Sequence, residues 1–163
     1  MKILLPAAVL MTAAFSSHAK TAVVSRLATP PVPVEAGLEF SVCAANVGTV
    51  KADIQLQFVS VRTGAVVATR DVTLPPPGTG AMPDPCLTTT ADAVLRAGNA
   101  TAADGAMVVA IVAIRRGLFN RPPAATAGLQ VMAAGPAGAR HVVASVPLEM
   151  VTNPRNGMVE TVH

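Results

Sequence analysis

Residues 51–72 read KADIQLQFVSVRTGAVVATRDV, and this stretch has the clearest periodicity in the chain. Every second residue from Ala52 to Phe58 is apolar, and the residues between them are aspartate or glutamine. Successive side chains of a strand point to opposite faces of the sheet. The alternation therefore predicts a strand with one buried face and one exposed face.

The second half of the same stretch predicts how this strand pairs. A three-residue loop at residues 62–64, ending in a left-handed glycine, sets Ile54 opposite Val72. A two-residue loop would place the apolar side chains opposite threonine and aspartate, so we discard that register. The chosen register leaves one misfit, Arg70 opposite Leu56. A bulge, or an edge position where the long side chain reaches water, would accommodate it.

Outside this hairpin, short apolar runs alternate with loops rich in proline and glycine. Residues 106–114 are the most apolar run beyond the amino terminus and are rich in β-branched side chains. They predict a central strand that is buried on both faces, or one with a face covered by a partner. Residues 127–133 and 140–146 predict a further hairpin, after which Pro147 marks an edge or a break.

These elements favour an all-β fold class: an antiparallel, immunoglobulin-like β-sandwich of about seven to nine short strands. One short helical turn is expected over residues 91–97, with Thr90 as its cap and Gly98 as its stop. No longer amphipathic helix is predicted.

The amino terminus has the features of an export signal. Lys2 precedes an apolar run over residues 3–15, and Ser17 and Ala19 are small residues at the two positions that a signal peptidase reads. A membrane anchor would need about 20 apolar residues, and Ser16 interrupts this run. We predict a signal peptide at residues 1–19, a β-sandwich domain at residues 20–150 and a C-terminal hairpin or loose tail at residues 151–163.

After cleavage we expect a periplasmic or extracellular chain with no membrane span. Its two cysteines, Cys43 and Cys86, would then enter an oxidising compartment, so we predict that they form a disulfide. The loop that they close has about 44 residues, for which chain entropy gives roughly 4 kcal/mol. There is no CxxC pair and no histidine near either cysteine, which disfavours a metal site or a reactive thiol.

The composition argues against several classes of function. The net charge of +3 is too small for a nucleic-acid partner, and loss of Lys2 with the signal lowers it. Aromatic residues make up 2% of the chain, which leaves little surface for stacking sugars or bases. Ser145 and His141 would share one face of a strand but lie about 13 Å apart, too far for a nucleophile and its base. We therefore expect no enzymatic activity.

The chain resembles small uncharacterised bacterial exported proteins of immunoglobulin-like build. Cys43 ahead of Asn46, the alternating strand, the Pro-Pro-Gly loop and Cys86 carry this resemblance, which covers roughly residues 38–115. The chain has no tryptophan or tyrosine, so the aromatic marks of antibody-type domains are missing. The resemblance implies a fold and an exported location, and no catalytic residue.

We predict a non-catalytic exported module that acts through protein contact or as an envelope component, without a cofactor. An exposed strand edge would receive an unidentified protein partner. The alternative is a periplasmic copper-binding module that uses Met and His ligands. If the last hairpin pairs Ala134 with Ala139, His141 lies opposite Met132, and imidazole with thioether suits a soft copper ion.

Overall fold

The protein consists of two antiparallel sheets that enclose one apolar core. The computed structural model describes residues 23–80, 83–115, 124–135 and 138–151. Within these residues the strands are, in chain order, β1 (Val23–Ala28), β2 (Val32–Pro33), β3 (Leu38–Asn46), β4 (Ala52–Ser60), β5 (Val66–Leu74), β6 (Cys86–Thr90), β7 (Met107–Arg115), β8 (Ala125–Ala134), β9 (Arg140–Pro147) and β10 (Glu149–Met150). Helix α1 (Ala91–Gly98) follows β6, and a 3-10 turn (Ala102–Asp104) precedes β7.

The larger sheet has the strand order β10-β1-β7-β4-β5, with β2 also paired to β7. The smaller sheet has the order β6-β3-β8-β9. Both sheets contribute to the core between them, and its largest fully buried side chains include Phe40, Leu129, Ile54, Leu56 and Phe58. The predicted all-β sandwich is confirmed, whereas its immunoglobulin-like topology stays a prediction.

The β4–β5 hairpin has the predicted register. Burial alternates residue by residue along β4, with the even-numbered side chains in the core. Ile54 pairs with Val72 and Phe58 pairs with Ala68. The apolar alternation therefore determines both which face is buried and which residues lie opposite each other.

The loop of this hairpin is longer than predicted. The Ser60 N–H donates to the Ala65 carbonyl at 2.9 Å, so that four residues, 61–64, form the loop. The register shifts between Phe58 and Val59, and this bulge takes up the additional residue. Gly64 has the expected left-handed conformation, with φ of 69°. The bulge preserves the core pairing although the loop length differs.

Strand β7 lies in the middle of the larger sheet, as the apolar run predicts. Its core-facing residues are buried, and on the opposite face Val109 and Ala113 are also buried. Ile111 is half-buried and Met107 at the strand's start is 41% exposed. Burial on both faces is thus confirmed for most of the strand and is lost at its first residue.

Helix α1 packs across one end of the sandwich. The Thr90 hydroxyl accepts from the Ala93 N–H at 3.3 Å, which is the predicted cap. The helix extends through Gly98 and ends at Asn99, whose φ is 47°, so the predicted stop at Gly98 is one residue early. A Cβ atom at Gly98 would lie 2.8 Å from the Ser60 hydroxyl. Glycine is needed there because the helix approaches β4 closely.

Several predicted segments lie outside the described residues. These are the signal peptide at residues 1–19 and the tail at residues 151–163 apart from Val151. Signal cleavage and the order of the tail stay predictions. Within the described part of the chain, no helix is long and apolar enough to cross a membrane.

Candidate interaction edge

The predicted disulfide between Cys43 and Cys86 is confirmed. The two cysteines are direct cross-strand partners on β3 and β6, with Cα atoms 4.1 Å apart, and both are half-buried. Val42 and Ala44 on either side of Cys43 are buried in the core, so the sulfur atoms lie on the outer face of the smaller sheet. The bond therefore joins neighbouring strands of one sheet, whereas the antibody-type disulfide joins two sheets.

Arg70 connects the two sheets along the side where β5 and β6 meet. Its Nη1 donates to the Asp84 carboxylate at 2.7 Å and to the Cys86 carbonyl at 2.6 Å. The other Asp84 oxygen accepts from the Cys86 N–H at 3.2 Å. Two hydrogen bonds lower the pKa of Asp84. The one from Arg70 has the larger effect, and the one from the Cys86 N–H has the smaller effect. Arg70 lies opposite Leu56, as predicted, and it does so on an edge strand, which is one of the two predicted solutions. From there its side chain reaches the other sheet.

Asn46 is a second connection between the sheets near β5. Its side-chain nitrogen lies 2.8 Å from the Val50 carbonyl and 3.1 Å from the carbonyls of Leu74 and Pro75. Its side-chain oxygen accepts from the Gly48 N–H at 2.8 Å. Asn46 is 5% exposed, and its hydrogen bond to the Leu74 carbonyl is buried. Its side chain joins the end of β3 to the end of β5, a role that the sequence pattern does not indicate.

Strand β9 forms the opposite edge of the smaller sheet. Within the described residues β9 pairs with β8 alone. Seven of its eight residues are exposed, and Val146 is half-buried. Val142 and Val143 are 52% and 50% exposed. Exposed aliphatic side chains on an edge strand form a template for association with another chain.

The smaller sheet extends beyond the core at β9. Val146 and Leu148 are the residues of this segment that pack against the core. After Pro147 the chain crosses to the larger sheet, where Met150 pairs with Leu27. The predicted break at Pro147 is therefore a crossing between sheets. Residues 140–145 precede this crossing and are exposed whichever face their side chains take.

Charged residues lie at the two ends of the β9 segment. Arg140 begins the strand and pairs with Glu39 at 2.9 Å, although 64% of the Arg140 side chain is exposed. Glu149 follows the strand and is exposed. Residues 141–148 contain no aspartate, glutamate, lysine or arginine. Natural edge strands commonly carry a charge in this central region, and β9 lacks one.

The register of β8 and β9 corrects the predicted pairing of Met132 with His141. His141 pairs with Ala133, and Met132 pairs with Val142, because Ala134 pairs with Arg140 and not with Ala139. One residue of difference places His141 and Met132 on opposite faces of the sheet. In the described part of the chain, no group of three or more His, Cys, Asp or Glu side chains is placed to hold a metal ion. The copper alternative stays a prediction, but the cross-strand pairing of Met132 with His141 from which it was derived is not present.

A register shift between Val131 and Met132 separates Ser145 from His141. Ser145 pairs with Gln130, on the Met132 face, while His141 pairs with Ala133 on the other face. The expectation that Ser145 and His141 share a face is therefore wrong. The bulge responsible leaves Val143 without a cross-strand partner.

A second apolar area lies on the outer face of the larger sheet. Its most exposed members are Val61, Val66 and Met107, at 46%, 53% and 41%. The Val61 N–H donates to the Met107 carbonyl at 3.1 Å. At the rim, Arg62 lies 3.7 Å from Asp104, whose pKa is lowered chiefly by the hydrogen bond from the Thr101 amide. In this area part of the backbone is already paired, through the Val61 N–H and the Met107 carbonyl.

Comparison with known proteins gives no match: no protein-family model fits the chain, and no curated protein or solved structure is similar to it.

Proposed function

We propose that the chain is a non-catalytic exported module that acts through protein contact, as a free protein or as an envelope component. The observation that carries the proposal is β9, an edge strand with seven exposed residues and no charged side chain between Arg140 and Glu149. A strand of this kind accepts another chain through its free backbone groups and its exposed side chains. In the described residues, β9 offers both an edge backbone and exposed side chains.

The disulfide supports the exported location. Stable disulfides form in oxidising compartments and are rare in the cytosol. The Cys43–Cys86 bond therefore agrees with the export signal predicted at residues 1–19. The separation of Ser145 from His141 on opposite faces agrees with a non-catalytic role.

The test of this function is site-specific photo-cross-linking in cells that make the full chain. A photoreactive residue replaces Val143 in β9 or, as the matched control, Val66 in β5. Both side chains are half exposed and both lie on edge strands. A difference between their cross-links therefore reports a difference between the two edges. We expect protein cross-links from position 143 and few from position 66.

Mass spectrometry of the cross-linked peptides identifies what lies against β9. Peptides of any protein, including this chain, support contact through β9 if Val142→Lys abolishes them. Equal products from positions 143 and 66, or none from position 143, contradict the proposal. Amino-terminal sequencing of the same material tests the export prediction, for which we expect Lys20 as the first residue.

A further inference from the structure

We propose that the occupant of β9 is a second copy of this chain, paired antiparallel to the first about a two-fold axis. This inference rests on the proposed function, because it names the partner of the same strand. A two-fold interface brings the same surface of both copies together, so the surface must be complementary to itself. The charges and exposure of β9 meet that condition.

Charge complementarity selects the antiparallel arrangement. In an antiparallel pair, Arg140 at the start of β9 lies at the end of β9 in the second copy, which Glu149 of β10 follows by two residues, and symmetry repeats this approach at the other end. A parallel pair would instead bring like charges together. Arg140 uses one nitrogen for Glu39 and keeps most of its side chain exposed, so further donors remain for a second carboxylate.

The region between these charges is suited to association. Val142 and Val143 are exposed, and both are aliphatic. Two four-stranded sheets joined at β9 would form one continuous sheet of eight strands. Because the smaller sheet extends beyond its own core here, each copy can cover the apolar side chains of the other without moving its larger sheet.

Two features limit the strength of this pair. Pro147 has no N–H to donate, and the bulge at Val143 interrupts the regular spacing of the edge hydrogen bonds. The contact is therefore short, and interfaces below roughly 1,200 Å² are typically weak and transient. We expect a reversible dimer that is populated at high micromolar concentration.

The other edges are less suited to self-pairing. Strand β5 carries Arg70 and Asp71 in its middle, and both are engaged in ion pairs. Strand β6 is held to the larger sheet through the Cys86 carbonyl. Strand β10 has two residues. Among the described edges, β9 is thus the one that combines length with exposed aliphatic side chains.

Sedimentation velocity of the purified, disulfide-bonded chain over a wide range of concentrations tests the inference. We expect the weight-average sedimentation coefficient to rise with concentration. Val142→Lys or Val143→Lys should weaken the dimer at least tenfold, since each places a desolvated cation in the contact. The control Val66→Lys changes a valine of equal exposure on β5 and should leave the dimer unchanged.

Salt dependence gives a second test that folding defects cannot mimic. Added salt should weaken the unmodified dimer, because it screens the attraction of Arg140 to Glu149 of the second copy. Glu149→Arg places two cations at each end, so this variant should associate more weakly, and added salt should now strengthen it. The proposed pairing thus predicts a reversal in the sign of the salt dependence.

A strict monomer at every concentration overturns the inference, as does equal weakening by Val66→Lys. Hydrogen exchange then separates the causes. Protected β9 amides in a monomer mean that another part of the chain covers the edge, and unprotected amides mean that the edge is open. Protected amides would also remove the edge on which the proposed function rests. Unprotected amides leave that function to the cross-links from position 143, so in that case the identity of the partner fails separately.

Discussion

Strands β5 and β9 are both edges of the same sandwich, yet they are protected in different ways. The middle of β5 carries Arg70 and Asp71, and Arg70 reaches the opposite sheet through Asp84 and the Cys86 carbonyl. The middle of β9 carries Val142, Val143 and Ala144, all exposed. Polar side chains connect the β5 edge to the rest of the molecule. In the described residues, β9 is paired with β8 alone.

Under the proposed function, stability and contact lie on opposite sides of the molecule. The side near β5 contains the disulfide strand β6, the Asn46 hydrogen bonds and the Arg70 bridge. Changes there should lower the free energy of unfolding. Changes on β9 should alter association, with little effect on folding, because exposed positions rarely contribute more than about 0.5 kcal/mol.

The largest expected effect is loss of the disulfide. Replacing Cys43 and Cys86 together by alanine should lower the free energy of unfolding by about 4 kcal/mol or somewhat less, because the unfolded chain gains the freedom of the open loop. Urea denaturation followed by circular dichroism measures this change. A loss no greater than that of Ser145→Ala on β9 would show that the β5–β6 side does not dominate stability.

Asn46→Ala should have the next largest effect, about 2–3 kcal/mol of unfolding free energy. The substitution leaves the buried Leu74 carbonyl without this donor, and the half-buried Val50 and Pro75 residues lose the same donor. The control is Val47→Ala, an adjacent position that is 60% exposed. Equal melting curves for the two variants would contradict the role assigned to Asn46 in joining the sheets.

Arg70→Met should cost about 1 kcal/mol, because the Cys86 carbonyl loses a hydrogen bond while the aliphatic stem is largely retained. Arg96→Met in α1 is the control, since Arg96 is an exposed arginine on the solvent side of the helix. Chemical denaturation of both variants checks the difference. If Arg70→Met also increases association, then Arg70 protects the β5 edge as well as stabilising it.

The smallest effect is the pH dependence from Asp84. Its pKa is below the ordinary 3.8 in the folded state, because Arg70 and the Cys86 amide stabilise the carboxylate. The resulting stabilisation is present above the unfolded-state pKa and is lost as pH falls through the lowered folded-state pKa. Asp84→Asn should therefore lower the melting temperature slightly at neutral pH and leave it unchanged in strong acid. A constant difference at all pH values would contradict this assignment.

The sequence predicts the parts of the fold that depend on local periodicity. Alternation in residues 52–58 determines the buried face of β4, and the β4–β5 register follows from matching apolar partners. The disulfide follows from cysteine count and the predicted compartment. These inferences need information from one or two segments of the chain.

The open edge depends on features that the sequence does not contain locally. The turn sets Ala134 opposite Arg140 and not opposite Ala139, and this difference of one residue places Met132 and His141 on opposite faces of the sheet. The exposure of β9 depends on where the larger sheet ends, which the pattern of residues 140–147 does not specify. The run of uncharged residues at 141–148 and Pro147 were the available signals for an edge.

The position of the disulfide also determines how the molecule would respond to mechanical force. The bond spans 43 positions of sequence and encloses β4, β5 and the proline-rich loop. A pull on the chain from outside this loop bypasses the enclosed segment, so forced extension would be shorter by about 150 Å in the oxidised protein. Tension would instead act on the strands outside the loop, which are β1, β2, β3 up to Cys43, and β6 to β10. The two-residue pairing of β10 with β1 would yield early.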